Sequence, residues 1–306
     1  MSEPIYGWKY RMDSGRALNR RSNDHAVEGF LILHAGGYGC VQPWPVFGHL
    51  SLDDHWGALA DGVSLPLLDQ ALACAKEDAS ARASGVSWWA DIQVPRSHAT
   101  ITDWQSNLPQ DIHKPFTHAK IKVSIVETEV LHDWAFRHPE VRLRLDCNEV
   151  PSMAEFDAWW HGLDQELRNR IDWIEDPFSY DAEKWSQWQK KNTASLAVDR
   201  AFDSGEMSAS CIAIWKPAWQ PLPQGAVIEN VVVTSAMDHP VGQAWAAFSA
   251  ACSGVESICG LRTDHLFARN EFTECLGSWS PEWPSIPGTG MGFDDLLEKI
   301  PWKRIR

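Results

Sequence analysis

Four short apolar runs in this chain each end in charged groups: Lys120-Ile121-Lys122, Asp146-Cys147-Asn148, Glu175-Asp176-Pro177 and Asp199-Arg200. Lysines followed by three separate carboxylates are the residue types of proton abstraction assisted by a hard cation. Asp146, Glu175 and Asp199 offer oxygen alone, as Mg²⁺ prefers when it keeps positions open for water and substrate, and Mn²⁺ can substitute. Lysine serves as a base near neutral pH only when its pKa is lowered from about 10.4 towards 7 or 8. Lys120 on the same strand face, burial and a nearby cation would all do this to Lys122. Lys216 follows Ile212 and Ile214 and precedes Pro217, so a further ammonium emerges from an apolar run. A cation holding a carboxylate between two lysines is a device for removing the proton beside that carboxylate. Taken singly, an Asp after a strand is more simply a helix N-cap or a surface ion pair. The recurrence of these groups at strand ends carries the chemical reading.

The elements that must position them follow from periodicity. Strand side chains alternate, so between His118 and Ile125 one face carries His118, Lys120, Lys122 and Ser124 and the other Ala119, Ile121, Val123 and Ile125. The next run divides alike, with Val141, Leu143 and Leu145 opposite Arg142, Arg144, Asp146 and Asn148. Steps of 24, 29 and 24 residues from Lys122 through Asp146 and Glu175 to Asp199 suit strand-plus-helix units returning parallel. Polar groups at successive strand ends favour a closed barrel with its site at the carboxyl-terminal mouth, an open sheet being the alternative. Further strands are expected at 97–101, 211–215 and 231–234, and a weakly specified last one near 257–261. The steps of 17 and 19 residues, from Asp199 to Lys216 and on to Ser235, leave room for short helices or none.

Upstream, Glu28 to His34 and Cys40 to Trp44 read as a hairpin around the turn Ala35-Gly36-Gly37-Tyr38-Gly39. Those glycines lack dinucleotide-binding spacing and lead towards Pro43 and Pro45 rather than into a helix. A helix is expected over 67–83, and the stripe Phe156, Trp159, Trp160, Leu163 and Leu167 behind Ser152 and Glu155 predicts another whose tryptophans are core. Residues 1–95 thus form an α+β capping domain, 96–269 the barrel, and 270–306 pack back on the cap. The 27 basic and 41 acidic residues give a net charge of −14, which argues against nucleic acid and anionic membranes as partners. Seven cysteines without a C-x-x-C pair, and an amino terminus without a signal or membrane-spanning run, make the cytoplasm the expected compartment.

The motifs Lys120-Ile121-Lys122, Leu143-Arg144-Leu145-Asp146-Cys147-Asn148, Trp173-Ile174-Glu175-Asp176-Pro177, Val198-Asp199 and Trp215-Lys216-Pro217 resemble, in order, those of the enolase superfamily, muconate-lactonizing branch. Within it the o-succinylbenzoate synthase family is the nearest match, and Glu28 to Leu31 with Pro43 to Gly48 resembles its capping domain. The resemblance implies a TIM-like (β/α)7β barrel with an α+β cap, Mg²⁺ on Asp146, Glu175 and Asp199, and a small-molecule carboxylate as substrate. It implies that Lys122 removes the proton α to that carboxylate and returns one to the departing hydroxyl, a syn dehydration in menaquinone biosynthesis. Lys216 would steady the negative charge from the opposite side, while Lys120, Arg144, Asn148 and Ser235 match positions that line the pocket. The chain departs from the family at Arg200, where a second acid is usual, and at Glu149-Val150. A dipeptide epimerase or acylamino acid racemase would use both lysines as bases, yet the stretch Gly260 to Leu266 lacks the D-x-D usual there. A catalytically silent ligand-binding barrel would have lost one of these groups, and none is missing.

Overall fold

The computed structural model describes all residues except 1–2, 16–17, 19–24, 106, 110–112, 114, 124–126, 149–151, 200–209 and 223–225. Ser124, Ile125, Glu149, Val150 and Arg200, singled out above, lie outside the described residues.

Strands β1 (Ile5–Asp13), β2 (Ala26–His34) and β3 (Gly37–Val41) build an antiparallel sheet, with β11 (Lys303–Arg304) added on the β1 edge. The β2–β3 turn is tighter than expected, because Ala35 and Gly36 both take left-handed backbone angles, φ 53° and 84°. Such a two-residue loop matches the natural twist of a hairpin. Gly37 and Gly39 therefore fall inside β3, where a Cβ would strike the backbone of Ala75 and Ala71. Their bareness lets α2 (Pro66–Ala83) lie directly on the strand. Helix α1 (Leu52–Asp61), which the sequence reading passed over, starts at a reciprocal Ser51–Asp54 capping box.

Seven parallel strands follow in sequential order: β4 (Ala99–Ile101), β5 (His118–Lys122), β6 (Arg142–Asp146), β7 (Ile171–Glu175), β8 (Leu196–Val198), β9 (Ile212–Trp215) and β10 (Val231–Val233). Parallel bridges from Thr234 to Gly260 and from Ser97 to Cys259 close the ring. The weakly specified last strand is thus a two-residue seam. Helices α3 (Thr128–Arg137), α4 (Met153–Gly162), α5 (Gln165–Arg170), α6 (Ala182–Asn192) and α7 (Pro240–Cys252) cover the ring. Between β9 and β10 the described helical structure is one 3-10 turn, Ile228–Asn230, as the short spacing required.

Alternation sorts the strands as expected. Ala119, Ile121, Leu143, Leu145, Ile174 and Val198 join the outer core with Trp134, Trp160, Trp185 and Trp188 of the helices. On the inner face Trp173, Ala197, Ile214 and Val232 fill the middle of the barrel, so the charged strand ends sit above a packed plug. The Ser152 hydroxyl caps α4 through the Glu155 amide, and Phe156, Trp159 and Trp160 are buried.

After α8 (Glu271–Cys275) and α9 (Asp294–Leu297) the chain returns to the first sheet. Asp78 of α2 accepts from the backbone N–H groups of Tyr38 (3.0 Å) and Met291 (2.7 Å) and from Arg82 (2.6 Å). Cap and barrel meet where Trp44 Nε1 donates to Ala236 O and Gln42 Nε2 to Met237 O, both at 3.0 Å. No helix among the described residues is long and apolar enough to cross a membrane.

Candidate active site

Parallel pairing sets Lys122 opposite Asp146 and Asp146 opposite Glu175, so three adjacent strands end in charge at one level. Asp199 follows β8 directly, and its amide donates to Asp176 Oδ1 at 3.2 Å. Asp176 and Asn148 close the strand-end turns at φ 42° and 52°, a conformation that Asn and Asp tolerate better than most residues.

Lys120 Nζ lies between two of the acids, 2.6 Å from Glu175 Oε1 and 3.2 Å from Asp146 Oδ2. Burial works to lower the Lys120 pKa, but the charges of Asp146, Glu175 and Asp199 outweigh it and the ammonium is raised. Lys122 differs, although only one residue separates the two. Burial, then Lys120 and Lys216, lower its pKa against the pull of Asp146 and Glu175. Its Nζ donates to Leu18 O at 2.9 Å. Burial raises the Glu175 carboxyl to about 7, helped by Asp146 and Asp199 and opposed by Lys120. At Asp146 burial also raises, yet Lys120 and Lys122 prevail and the carboxyl is held low.

Lys216, from the end of β9, pairs with Asp199 Oδ1 and stands over the Trp219 ring, 4.5 Å from its centroid. Counting the seam as the eighth strand, β5 and β9 are four places apart, diametrically opposed across the ring. Lys122, Asp146, Asn148, Glu175, Asp176 and Asp199 line one cavity of about 740 Å³. Its roof comes from the cap: Val46, Phe47, His49, Leu50, Leu65 and Leu67. A narrower recess of about 70 Å³ shares Lys122, Asp199 and Trp219 and reaches Lys120, Lys216 and Ser235.

Among the described residues no three His, Cys, Asp or Glu groups stand gathered as an ion would draw them. Lys120 and Lys216 hold the acids instead. The donor set nevertheless fits a hard cation: three carboxylates face one cavity, and Glu175 Oε2 is buried with no hydrogen-bond partner.

Of the expected pocket residues, Asn148 lines the large cavity and Lys120 the recess. Ser235 also lines the recess, with its hydroxyl 2.8 Å from that of Thr263. Arg144 is a correction. It lies below, against Trp173 at 5.1 Å, donating to Asp172 Oδ2 (2.9 Å), with its Nη1 2.9 Å from His98 Nδ1 and donating to Ile258 O at 2.6 Å. The bulge between Leu143 and Arg144 and the seam recruit the guanidinium as a brace, so it lines neither cavity. No spacing in the sequence marks the roof residues or Trp219, and the motif Pro43 to Gly48 does not by itself show what it covers.

Comparison with known proteins agrees with this architecture. Residues 5–81 match the family "O-succinylbenzoate synthase, N-terminal domain". An o-succinylbenzoate synthase of Bdellovibrio bacteriovorus is 26% identical, with 97% of each chain covered. Among solved structures, an o-succinylbenzoate synthase from Thermosynechococcus elongatus BP-1, complexed with Mg in its active site, aligns with a TM-score of 0.64 at 17% identity, covering 87% of this chain and 94% of that one. A dipeptide epimerase from Cytophaga hutchinsonii, complexed with Mg and D-Ala-L-Val, gives 0.71 at 16% identity and covers 100% of both. Others with this fold are described as enolase-superfamily or mandelate racemase/muconate lactonizing proteins. The amino-terminal match, the similarity along the full length and the barrel make the chain similar to o-succinylbenzoate synthases and give it the fold seen in enolase-superfamily proteins.

Proposed function

We propose that the chain is an Mg²⁺-dependent carbon–oxygen lyase, an o-succinylbenzoate synthase serving menaquinone biosynthesis. The substrate is 2-succinyl-6-hydroxy-2,4-cyclohexadiene-1-carboxylate, dehydrated to o-succinylbenzoate. The observation that carries the reading is the placement of Lys122 and Lys216 on opposed strands, with the acids of β6, β7 and β8 between them. Asp146, Glu175 and Asp199 would hold the ion, for which Mn²⁺ can substitute. When bound it supplies Lewis-acid stabilisation of negative charge on the substrate carboxylate.

Lys122, as the free amine, takes the proton from the ring carbon bearing that carboxylate, and the C–H electrons pass into an enediolate. The same ammonium then gives its proton to the departing hydroxyl on the same face. The C–O bond breaks, water leaves and the ring becomes aromatic. Lys216, paired with Asp199, faces the enediolate from the other side.

An epimerase is the second reading, because its lysines would stand alike and epimerases share the fold. One feature disfavours it. Asp264, the acid nearest the missing D-x-D, gives both carboxylate oxygens to Arg262 at 2.8 and 3.2 Å, leaving it engaged rather than free for a dipeptide ammonium. The test is loss of cyclohexadiene absorbance with Mg²⁺ and with EDTA, beside an epimerisation assay on dipeptides. Turnover of dipeptides alone would transfer the chain to the second reading.

A further inference from the structure

The cap contributes one polar group whose hydrogen is fixed by its neighbours. The Trp44 backbone N–H donates to His49 Nδ1 at 3.0 Å. An amide N–H can only donate, so Nδ1 is the bare nitrogen and a neutral ring carries its proton on Nε2. Burial, with His55 and Lys216 nearby, lowers the His49 pKa to about 4, so the ring is neutral at working pH. The edge contact with Trp219, 4.8 Å between centroids at 86°, holds its plane. His49 lines the large cavity, and its Nε2 has no hydrogen-bond partner among the described residues. His55, the other histidine there, has its Nδ1 2.9 Å from Ser51 O, a carbonyl that can only accept, so that nitrogen carries a hydrogen where the Nδ1 of His49 is bare.

Charge orients whatever enters. Asp146, Glu175, Asp176 and Asp199 crowd the barrel end, and Lys122 is the cation among the described lining residues. A diacid therefore sets its reacting carboxylate at the strand ends and is driven to keep its second acid away from them. The cap end is otherwise apolar, with Val46, Phe47, Leu50 and Leu67 suited to methylenes.

Resting on the function proposed above, we infer that His49 is a specificity-determining residue whose Nε2–H donates to the terminal carboxylate of the succinyl arm. The residue touches no reacting bond. It accounts for a preference for substrates bearing a second acid, since a donor left facing a methyl group stays unpaired.

The test compares binding of o-succinylbenzoate and 2-butyrylbenzoate, which has a methyl in place of the terminal carboxylate, to the Mg²⁺-loaded full chain by tryptophan fluorescence. The wild type should prefer o-succinylbenzoate, and His49→Leu should lose roughly 10–100-fold for it while barely changing for 2-butyrylbenzoate. His49→Gln, which can both accept and donate, should recover much of the difference. In turnover, His49→Leu should raise KM with kcat nearly kept. Equal losses for both ligands, or none for either, overturn the inference. So does a long-range ¹H–¹⁵N spectrum of the unmodified protein placing the His49 proton on Nδ1, a measurement independent of whether variants fold. Preference for the diacid without dehydration in the wild type would sink the proposed reaction and leave the recognition standing. Binding of neither ligand would overturn both.

Discussion

Lys120 and Lys122 share a strand face and a sequence motif, yet their surroundings drive them apart. Lys120 is clamped by Glu175 and Asp146 and remains an ammonium, whereas Lys122 touches a backbone carbonyl and is lowered by burial. One is suited to hold charge and the other to exchange a proton. Lys122→Ala should therefore abolish dehydration, a general-base contribution worth roughly 10²–10⁴-fold. Lys216→Ala should impair turnover but still allow solvent deuterium exchange at the α-carbon of a non-eliminating analogue, followed by NMR. Exchange that survives in Lys122→Ala and vanishes in Lys216→Ala would reverse the two roles. Asp199→Asn should weaken Mg²⁺ binding by calorimetry and reduce activity with an unchanged far-ultraviolet spectrum; undiminished affinity would remove Asp199 from the ligand set. These residues were legible because each closes an apolar run and strand alternation leaves its side chain one choice of face. His49 and Trp219 were not, since their role arises where segments 170 residues apart meet. Arg144 misled because it obeys the same alternation as Asp146 two positions earlier, and depth along a strand leaves no mark on that pattern.

Among the elements, those with a strong period were found nearly to their ends: α2 was expected over 67–83 and spans Pro66–Ala83. Strand β1 escaped notice because Tyr6 and Trp8 stand on the half-exposed face of Ile5–Asp13 and blur its alternation. Helix α1 has two buried side chains, His55 and Leu59, too few to announce an apolar stripe. The return of the carboxyl-terminal tail to the cap was expected in outline, but its anchor, Asp78, looked like any acid on a helix. Fully buried, it joins α2 to the β3 backbone and to Met291 beyond the barrel. Asp78→Ala leaves Arg82 half-paired beneath the tail and should cost about 3–5 kcal/mol, read from urea unfolding. A loss below about 1 kcal/mol would mean that apolar packing alone fastens the tail.

At the scale of the whole molecule, the junction of cap and barrel encloses a carboxyl group the chemistry does not use. Asp238 lies among Tyr10 and Cys40 of the cap, the N-cap residue His239, and Gly242 and Gln243 of α7, with neither carboxylate oxygen in a good hydrogen bond. Burial raises it to about 7, against weak help from the Ala236 and Asp238 amides. The folded chain thus keeps a proton that the unfolded chain releases near pH 4. Between about pH 4 and 7 the native state binds more protons, so this contribution to stability falls as pH rises and is gone above about 7. Asp238→Asn should melt several degrees above wild type at pH 8 and level with it at pH 4; a difference independent of pH would show that Asp238 does not titrate there. The β1–β11 pairing, Tyr6 with Arg304 and Gly7 with Lys303, bears on how a ribosome delivers this molecule. The cap's first three strands emerge before any barrel strand, while the partner of the β1 edge is translated only after the barrel has emerged. At about 5–20 residues per second, that edge waits on the order of 15–60 s, open to pairing with a neighbouring nascent chain. Polysomes crowded with this message should therefore be where its misassembly begins, and a chaperone that shields the edge of Ile5–Asp13 would act while the barrel is still being made.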